Sequence, residues 1–104
     1  MAAVLSPRAR RDLLEAVRWI AQDNPTAARG LSEAVARAAY RLEEFSKIGT
    51  VRPEFADEPV RFLALTGYPY LLVYDAAELP PLILRVLHGA RDLPAALGRK
   101  QSND

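Results

Sequence analysis

The feature that most constrains this chain is how little separates two long amphipathic stretches. Over residues 7–22 the apolar side chains Ala9, Leu13, Ala16, Val17, Ile20 and Ala21 recur at threes and fours. From Ala28 the stripe Leu31, Val35, Ala38, Leu42 and Phe45 steps by three, four, three, four, three over about five turns. Each stripe is one apolar helix face. The opposite face of the first helix carries Arg8, Arg11, Asp12, Glu15 and Arg18, spaced for weak pairing along a solvated surface. Only Asp23-Asn24-Pro25 lies between the two helices. A residue before proline avoids the helical region, so Asn24 ends one helix and caps the next. With so short a connection the helices must fold back on one another as an antiparallel hairpin. Ser6 is the matching cap for the first helix, with Pro7 at the position where its missing N–H costs nothing.

After Phe45 the pattern changes. Gly49, Pro53 and Pro59 punctuate residues 46–59, and Glu54, Asp57 and Glu58 make them acidic, as in a loop. Three strand-like runs follow, 60–65, 70–74 and 82–87. Thr66-Gly67-Tyr68-Pro69 turns between the first two, and Glu78-Leu79-Pro80-Pro81 breaks before the third. Connections this short favour an antiparallel meander. Val4-Leu5 can add a brief edge strand. Helices and strands are segregated, so the expected fold is α+β: an N-terminal helical hairpin on a three- to four-stranded antiparallel sheet. The second and third runs are almost continuously apolar, which implies that both sheet faces are covered. The hairpin covers one; a binding partner is expected on the other, since little of the chain is left to do so.

At 104 residues the chain is expected to form one domain over residues 1–97, with 98–104 a flexible polar tail. It has no cysteine and a single histidine, which argues against disulfides, a zinc site or most nucleophilic triads. No Gly-rich phosphate loop or nucleophile elbow occurs, and no cofactor is expected. No apolar run reaches the ~18–20 residues that cross a bilayer, and the N-terminus lacks the order of a signal peptide, so a cytoplasmic protein is expected. The formal charge is +1, made from twelve arginines and two lysines against thirteen acids. Guanidinium groups suit carboxylate and phosphate recognition, but GC-rich codon usage yields the same excess. Direct nucleic-acid binding is therefore not expected.

A few polar residues stand where chemistry can be done. Arg61 and Arg85 interrupt apolar strands, and each must reach water, a carboxylate or a ligand. Arg61 can be an edge arginine paired with Asp57 or Glu58; Arg85 shares the parity of Ile83 and Leu87. His88 follows the last strand, with Gly89 behind it, placed either for acid–base work or for a turn hydrogen bond. Arg91 and Asp92 form a local pair. Tyr68, Tyr70 and Tyr74 share one parity and can stack bases or pack against the hairpin.

Several of these segments resemble the ParE-like toxins of the ParE/RelE toxin–antitoxin superfamily, the plasmid-stabilisation type. They are the opening Ser6-Pro7-Arg8-Ala9, the Asn24-Pro25 junction, Val60-Arg61, the run Tyr68-Pro69-Tyr70-Leu71-Leu72-Val73-Tyr74, and the end Leu87-His88-Gly89-Ala90-Arg91-Asp92-Leu93. The resemblance covers roughly residues 4–97. It implies a toxin neutralised in a hetero-oligomer by the amphipathic tail of its cognate antitoxin, with DNA gyrase as the target. In that reading Arg61, Tyr70, Arg85, His88 and Arg91 are candidates for binding target or partner. A RelE-like alternative, a ribosome-dependent mRNA endoribonuclease, would use Arg61, Arg85 and His88 on the 2′-hydroxyl, the phosphorane and the leaving oxygen. Against it, Lys47 and Lys100 are the only lysines and nothing after Tyr74 is aromatic. A third alternative is a non-toxic module that only binds antitoxin.

Overall fold

Ser6 and Asn24 cap their helices as the sequence requires. The Ser6 hydroxyl accepts the Ala9 N–H at 3.0 Å, and the Asn24 side chain accepts the Ala27 N–H at 3.0 Å. The structure is a computed structural model that describes residues 2–97; the expected tail at 98–104 lies outside the described residues. The elements run β1 (Val4–Leu5), α1 (Pro7–Ala21), α2 (Pro25–Glu44), β2 (Val60–Ala64), β3 (Tyr70–Asp75), β4 (Leu82–His88) and α3 (Leu93–Leu97). α1 and α2 form the expected hairpin.

β2, β3 and β4 form the expected antiparallel meander, and the sheet order is β1-β4-β3-β2. β1 lies parallel to β4, so the sheet is mixed rather than wholly antiparallel. No hairpin turn dictates the direction of β1. The entire α1–α2 hairpin and the meander intervene before β4, which leaves either direction open to it.

The core has two parts. Between hairpin and sheet, Leu31 and Leu42 of α2 meet Leu72, Tyr74 and Ile83, all five with no exposed surface. Each such aliphatic side chain contributes on the order of 2 kcal/mol by leaving water. On the other face Phe62, Leu71, Val73 and Leu87 pack with Phe55, Ala56 and Leu93. Here the sequence-based expectation is corrected. The second sheet face is covered by the chain itself, because the 51–59 loop folds back over it and Leu93 of α3 closes it.

A second correction concerns alternation. Val73 faces Arg85 but Tyr74 faces Ile83, so Leu84 is an extra residue in β4. This bulge reverses parity along the strand. Ile83 therefore joins the hairpin-side core and Leu87 the opposite one, although both were assigned to one side.

Gly30 sits inside α2, where glycine costs about 1 kcal/mol relative to alanine. The Tyr68 side chain crosses over it and donates to the Ala27 carbonyl at 3.0 Å; a Cβ at position 30 would collide with the Tyr68 hydroxyl. Tyr70 and Tyr74 are buried in the hairpin-side core and Tyr68 packs against that core, so these tyrosines contribute to packing.

Candidate functional site: a cavity beside strand β4

β1 pairs only with Leu82 and Ile83 of β4. Beyond that point, side chains occupy the edge of β4. The Ser6 hydroxyl donates to the Leu84 carbonyl at 3.1 Å, Asp12 accepts the Val86 N–H at 3.0 Å, and Asp92 accepts the His88 N–H at 3.0 Å. Unpaired edge N–H groups invite strand pairing, and here those of Val86 and His88 are satisfied by side chains of the same chain.

Each carboxylate is held by an arginine. Arg85 reaches Asp12 with two prongs, Nε to Oδ2 at 2.7 Å and Nη2 to Oδ1 at 3.2 Å, while Arg8 Nε stands 3.4 Å from Oδ1. Asp12 is buried, and the pair survives burial because every strong acceptor direction is used. Donation to Asp12 raises the Arg85 pKa, against the lowering effect of burial. Arg91 Nε donates to Asp92 at 2.9 Å. That bond, and then one to Tyr70, raises the Arg91 pKa; the same Arg91 bond holds Asp92 below the ordinary carboxylate range.

Over this edge opens a cavity of about 640 Å³. α1 supplies Arg8, Asp12, Glu15, Ala16 and Trp19; the sheet supplies Tyr70, Arg85, Val86 and Leu87; Arg91, Asp92 and Ala95 complete it. Trp19 is 61 % exposed, unusual for so large an apolar side chain.

Three of the five residues singled out in the sequence, Tyr70, Arg85 and Arg91, thus line one cavity. His88 stands next to it, edge-on to Tyr70 with ring centroids 5.4 Å apart. Its Nδ1 accepts the Arg91 N–H at 3.0 Å, so the neutral ring carries its proton on Nε2 and offers no free lone pair for a general base. Arg61 is elsewhere. It donates to the Gly49 carbonyl at 2.9 Å, to the Lys47 carbonyl at 3.4 Å and to Glu58 at 3.2 Å, pinning the loop after α2. Arg61 faces Tyr74 across one ladder and His88 faces Tyr70 across the other. Four residues along β3 separate them by about 13 Å, and two strand spacings add roughly 10 Å across.

Asp12, Arg8, Glu15 and Trp19 were not among the candidates read from sequence. Helical periodicity puts Asp12 on the polar face of α1, whereas it is buried against β4. Its one local signal is the i,i+4 spacing from Arg8, which any exposed helix pair shares. Among the described residues no group of three or more His, Asp or Glu side chains is placed to hold a metal ion. No helix among them is long and apolar enough to cross a membrane.

The architecture recurs among solved structures. The described chromosomal ParDE TA system from P. aeruginosa has a chain that superposes with a TM-score of 0.68 at 21 % identity, covering 85 % of this chain and 95 % of that one. At that identity the likeness is one of fold. The sequence itself goes further, matching the family described as ParE toxin of type II toxin-antitoxin system, parDE, over residues 3–93. The chain belongs to the ParE toxin family. A search of curated proteins finds no match.

Proposed function

We propose that this chain is the toxin of a type II toxin–antitoxin pair, is silenced in the cytoplasm by its cognate antitoxin, and acts on DNA gyrase by binding rather than by catalysis. Family membership supports the toxin and its antitoxin partner. The choice of binding over RNA cleavage rests on one observation. The three residues that a ribonuclease would need do not converge: Arg61 is spent on the loop after α2, and His88 Nδ1 is already an acceptor. Cutting RNA at a 2′-hydroxyl requires a base, an acid and cations around one phosphorane. The arginines near β4 are matched with carboxylates, so what they offer is recognition.

The test is a pair of assays on antitoxin-free protein, gyrase supercoiling with detection of cleavage complexes, and primer extension on translated mRNA. Loss of supercoiling with intact message is expected. Message cut at defined codon positions with gyrase untouched would reverse the reading in favour of the ribonuclease. Expression without growth arrest would leave only the antitoxin-binding module.

A further inference from the structure

The total charge of +1 conceals an uneven distribution between the two helices of the hairpin. On the exposed surface of α2, Arg29, Arg37 and Arg41 are matched by Glu33, Glu43 and Glu44. The exposed surface of α1 carries Arg8, Arg10, Arg11 and Arg18 against one acid, Glu15. The other acid of that helix, Asp12, is turned inward and held by Arg85. A codon bias towards arginine acts on both helices alike and does not by itself produce this difference.

Helix stability does not account for these arginines. Arg8, Arg10 and Arg11 lie near the start of α1, the positive end of the helix dipole, where acids stabilise and cations do not. No acid occupies the first turn. Arg8 has relief from Asp12 at 3.4 Å, but Arg10, Arg11 and Arg18 make no hydrogen bond or ion pair among the described residues. A local rule broken without structural return marks function. Arg10, Leu14 and Arg18 fall on one line of the helix at i, i+4 and i+8, spanning about 12 Å, with Arg11 beside them.

We propose that the exposed face of α1 bearing Arg10, Arg11 and Arg18 binds the phosphate backbone of duplex DNA. Planar guanidinium groups take phosphate oxygens in pairs, and three of them displace counterions along the duplex. Such contacts position the protein on DNA and carry no base sequence. The choice of duplex DNA over another polyanion rests on the gyrase reading above, because duplex DNA is what that target holds. The face is distinct from the cavity beside β4, where Arg85 and Arg91 are committed to Asp12 and Asp92.

The probe is a labelled mixed-sequence duplex of about 20 base pairs, titrated with full-length, antitoxin-free protein and followed by fluorescence anisotropy over a salt series. The Arg10→Gln/Arg11→Gln/Arg18→Gln variant is compared with wild type and with Arg29→Gln/Arg37→Gln/Arg41→Gln, which removes the same charge from α2. All six positions are exposed, and circular dichroism checks that the fold is kept. The α1 variant should bind at least ~10-fold more weakly at low salt and lose about 2–3 from the slope of log affinity against log salt. The α2 variant should stay within about threefold of wild type. Equal losses in both variants would overturn the proposal, since DNA would then respond to net charge alone. Wild-type protein that leaves the duplex unbound at low salt would overturn it whatever the supercoiling assay shows, and so would tighter binding to RNA of equal charge. DNA bound through α1 with supercoiling untouched would remove the gyrase reading and leave the DNA contact standing.

Discussion

Asp12 in α1 and Arg85 in β4, 73 residues apart, form a two-pronged ion pair whose shorter arm is 2.7 Å, and the same Asp12 oxygen accepts the Val86 N–H. One carboxylate therefore ties the hairpin to the sheet, neutralises a strand arginine and closes a strand edge. Removing it strands both partners. Asp12→Ala should cost about 3–5 kcal/mol, as for other buried pairs broken on one side. Asp12→Asn should cost less, since the amide oxygen can still take the Val86 N–H. Urea unfolding measures both; a loss under about 1 kcal/mol for the alanine variant would show that the pair is spectator to the fold.

Asp92 repeats the device at the end of β4, and its sign with pH is definite. Arg91 and the His88 N–H lower its folded pKa below that of an ordinary aspartate. The folded state thus holds its proton less tightly than the unfolded chain does. The stabilisation is fully present above the unfolded pKa and is lost as pH falls through the lower, folded value. Asp92→Asn should flatten the acid limb of stability below about pH 4 and have little pH-dependent effect above pH 6. Thermal melts between pH 2 and 7 read this directly, and parallel curves for the two proteins would contradict it.

Tyr68 and Gly30 should be coupled. Alanine at position 30 gains helix propensity but displaces the Tyr68 hydroxyl from the Ala27 carbonyl. In the wild type these effects oppose, and Gly30→Ala should be neutral to about 2 kcal/mol destabilising. In a Tyr68→Phe background, where that hydrogen bond is already gone, the same change should be milder by at least ~0.5 kcal/mol. A double-mutant cycle by denaturant unfolding gives the coupling, and strict additivity would refute the contact.

His88 offers a spectroscopic check on the proposed mode of action. With Nδ1 accepting from Arg91, the neutral ring must be the Nε2–H tautomer. Nitrogen shifts of the imidazole at pH 8 should show it, and His88→Gln should retain toxicity within about threefold of wild type, as expected for a residue outside the chemistry. A loss of several hundredfold would restore His88 to a reaction.

Much of the fold was legible because periodicity and punctuation carry it. The helical stripes, the Ser6 and Asn24 caps and the short turn at Gly67, whose φ of +86° glycine alone adopts easily, mark element ends locally. Two features were not legible for definite reasons. The Leu84 bulge breaks strict alternation without any sequence signal, so Arg85 keeps the parity of Leu87 but not that of Ile83. Phe55 reaches the far sheet face through long-range folding of a loop that reads as solvent-exposed, and Leu93 reaches it from α3, a helix too short to show a periodic stripe. The site divides the same way. Tyr70, Arg85 and Arg91 could be picked out as anomalies in or after apolar strands. Asp12 and Trp19 could not, since their roles depend on which strand α1 lands beside.

Tyr74 and Gly49 set the position of the loop that Arg61 also holds. The Tyr74 side chain is wholly buried; its hydroxyl donates to the Ser46 carbonyl at 2.7 Å and accepts the Gly49 N–H at 2.9 Å. Burial raises the Tyr74 pKa. Tyr74→Phe removes both bonds and leaves a carbonyl and an amide unsatisfied, at a cost of about 1–3 kcal/mol. Gly49→Ala attacks the same contact from the backbone side. A Cβ there would lie 2.8 Å from the Tyr74 ring and 2.9 Å from the Phe62 carbonyl. The ring sits in the core and the carbonyl belongs to β2, so neither yields easily, and the alanine should cost more than Tyr74→Phe, about 2–4 kcal/mol. Hydrogen exchange at Gly49 and Thr50 should rise in both variants while α1 amides stay protected. Uniform loss of protection across the chain would mean that this loop unfolds only with the whole domain.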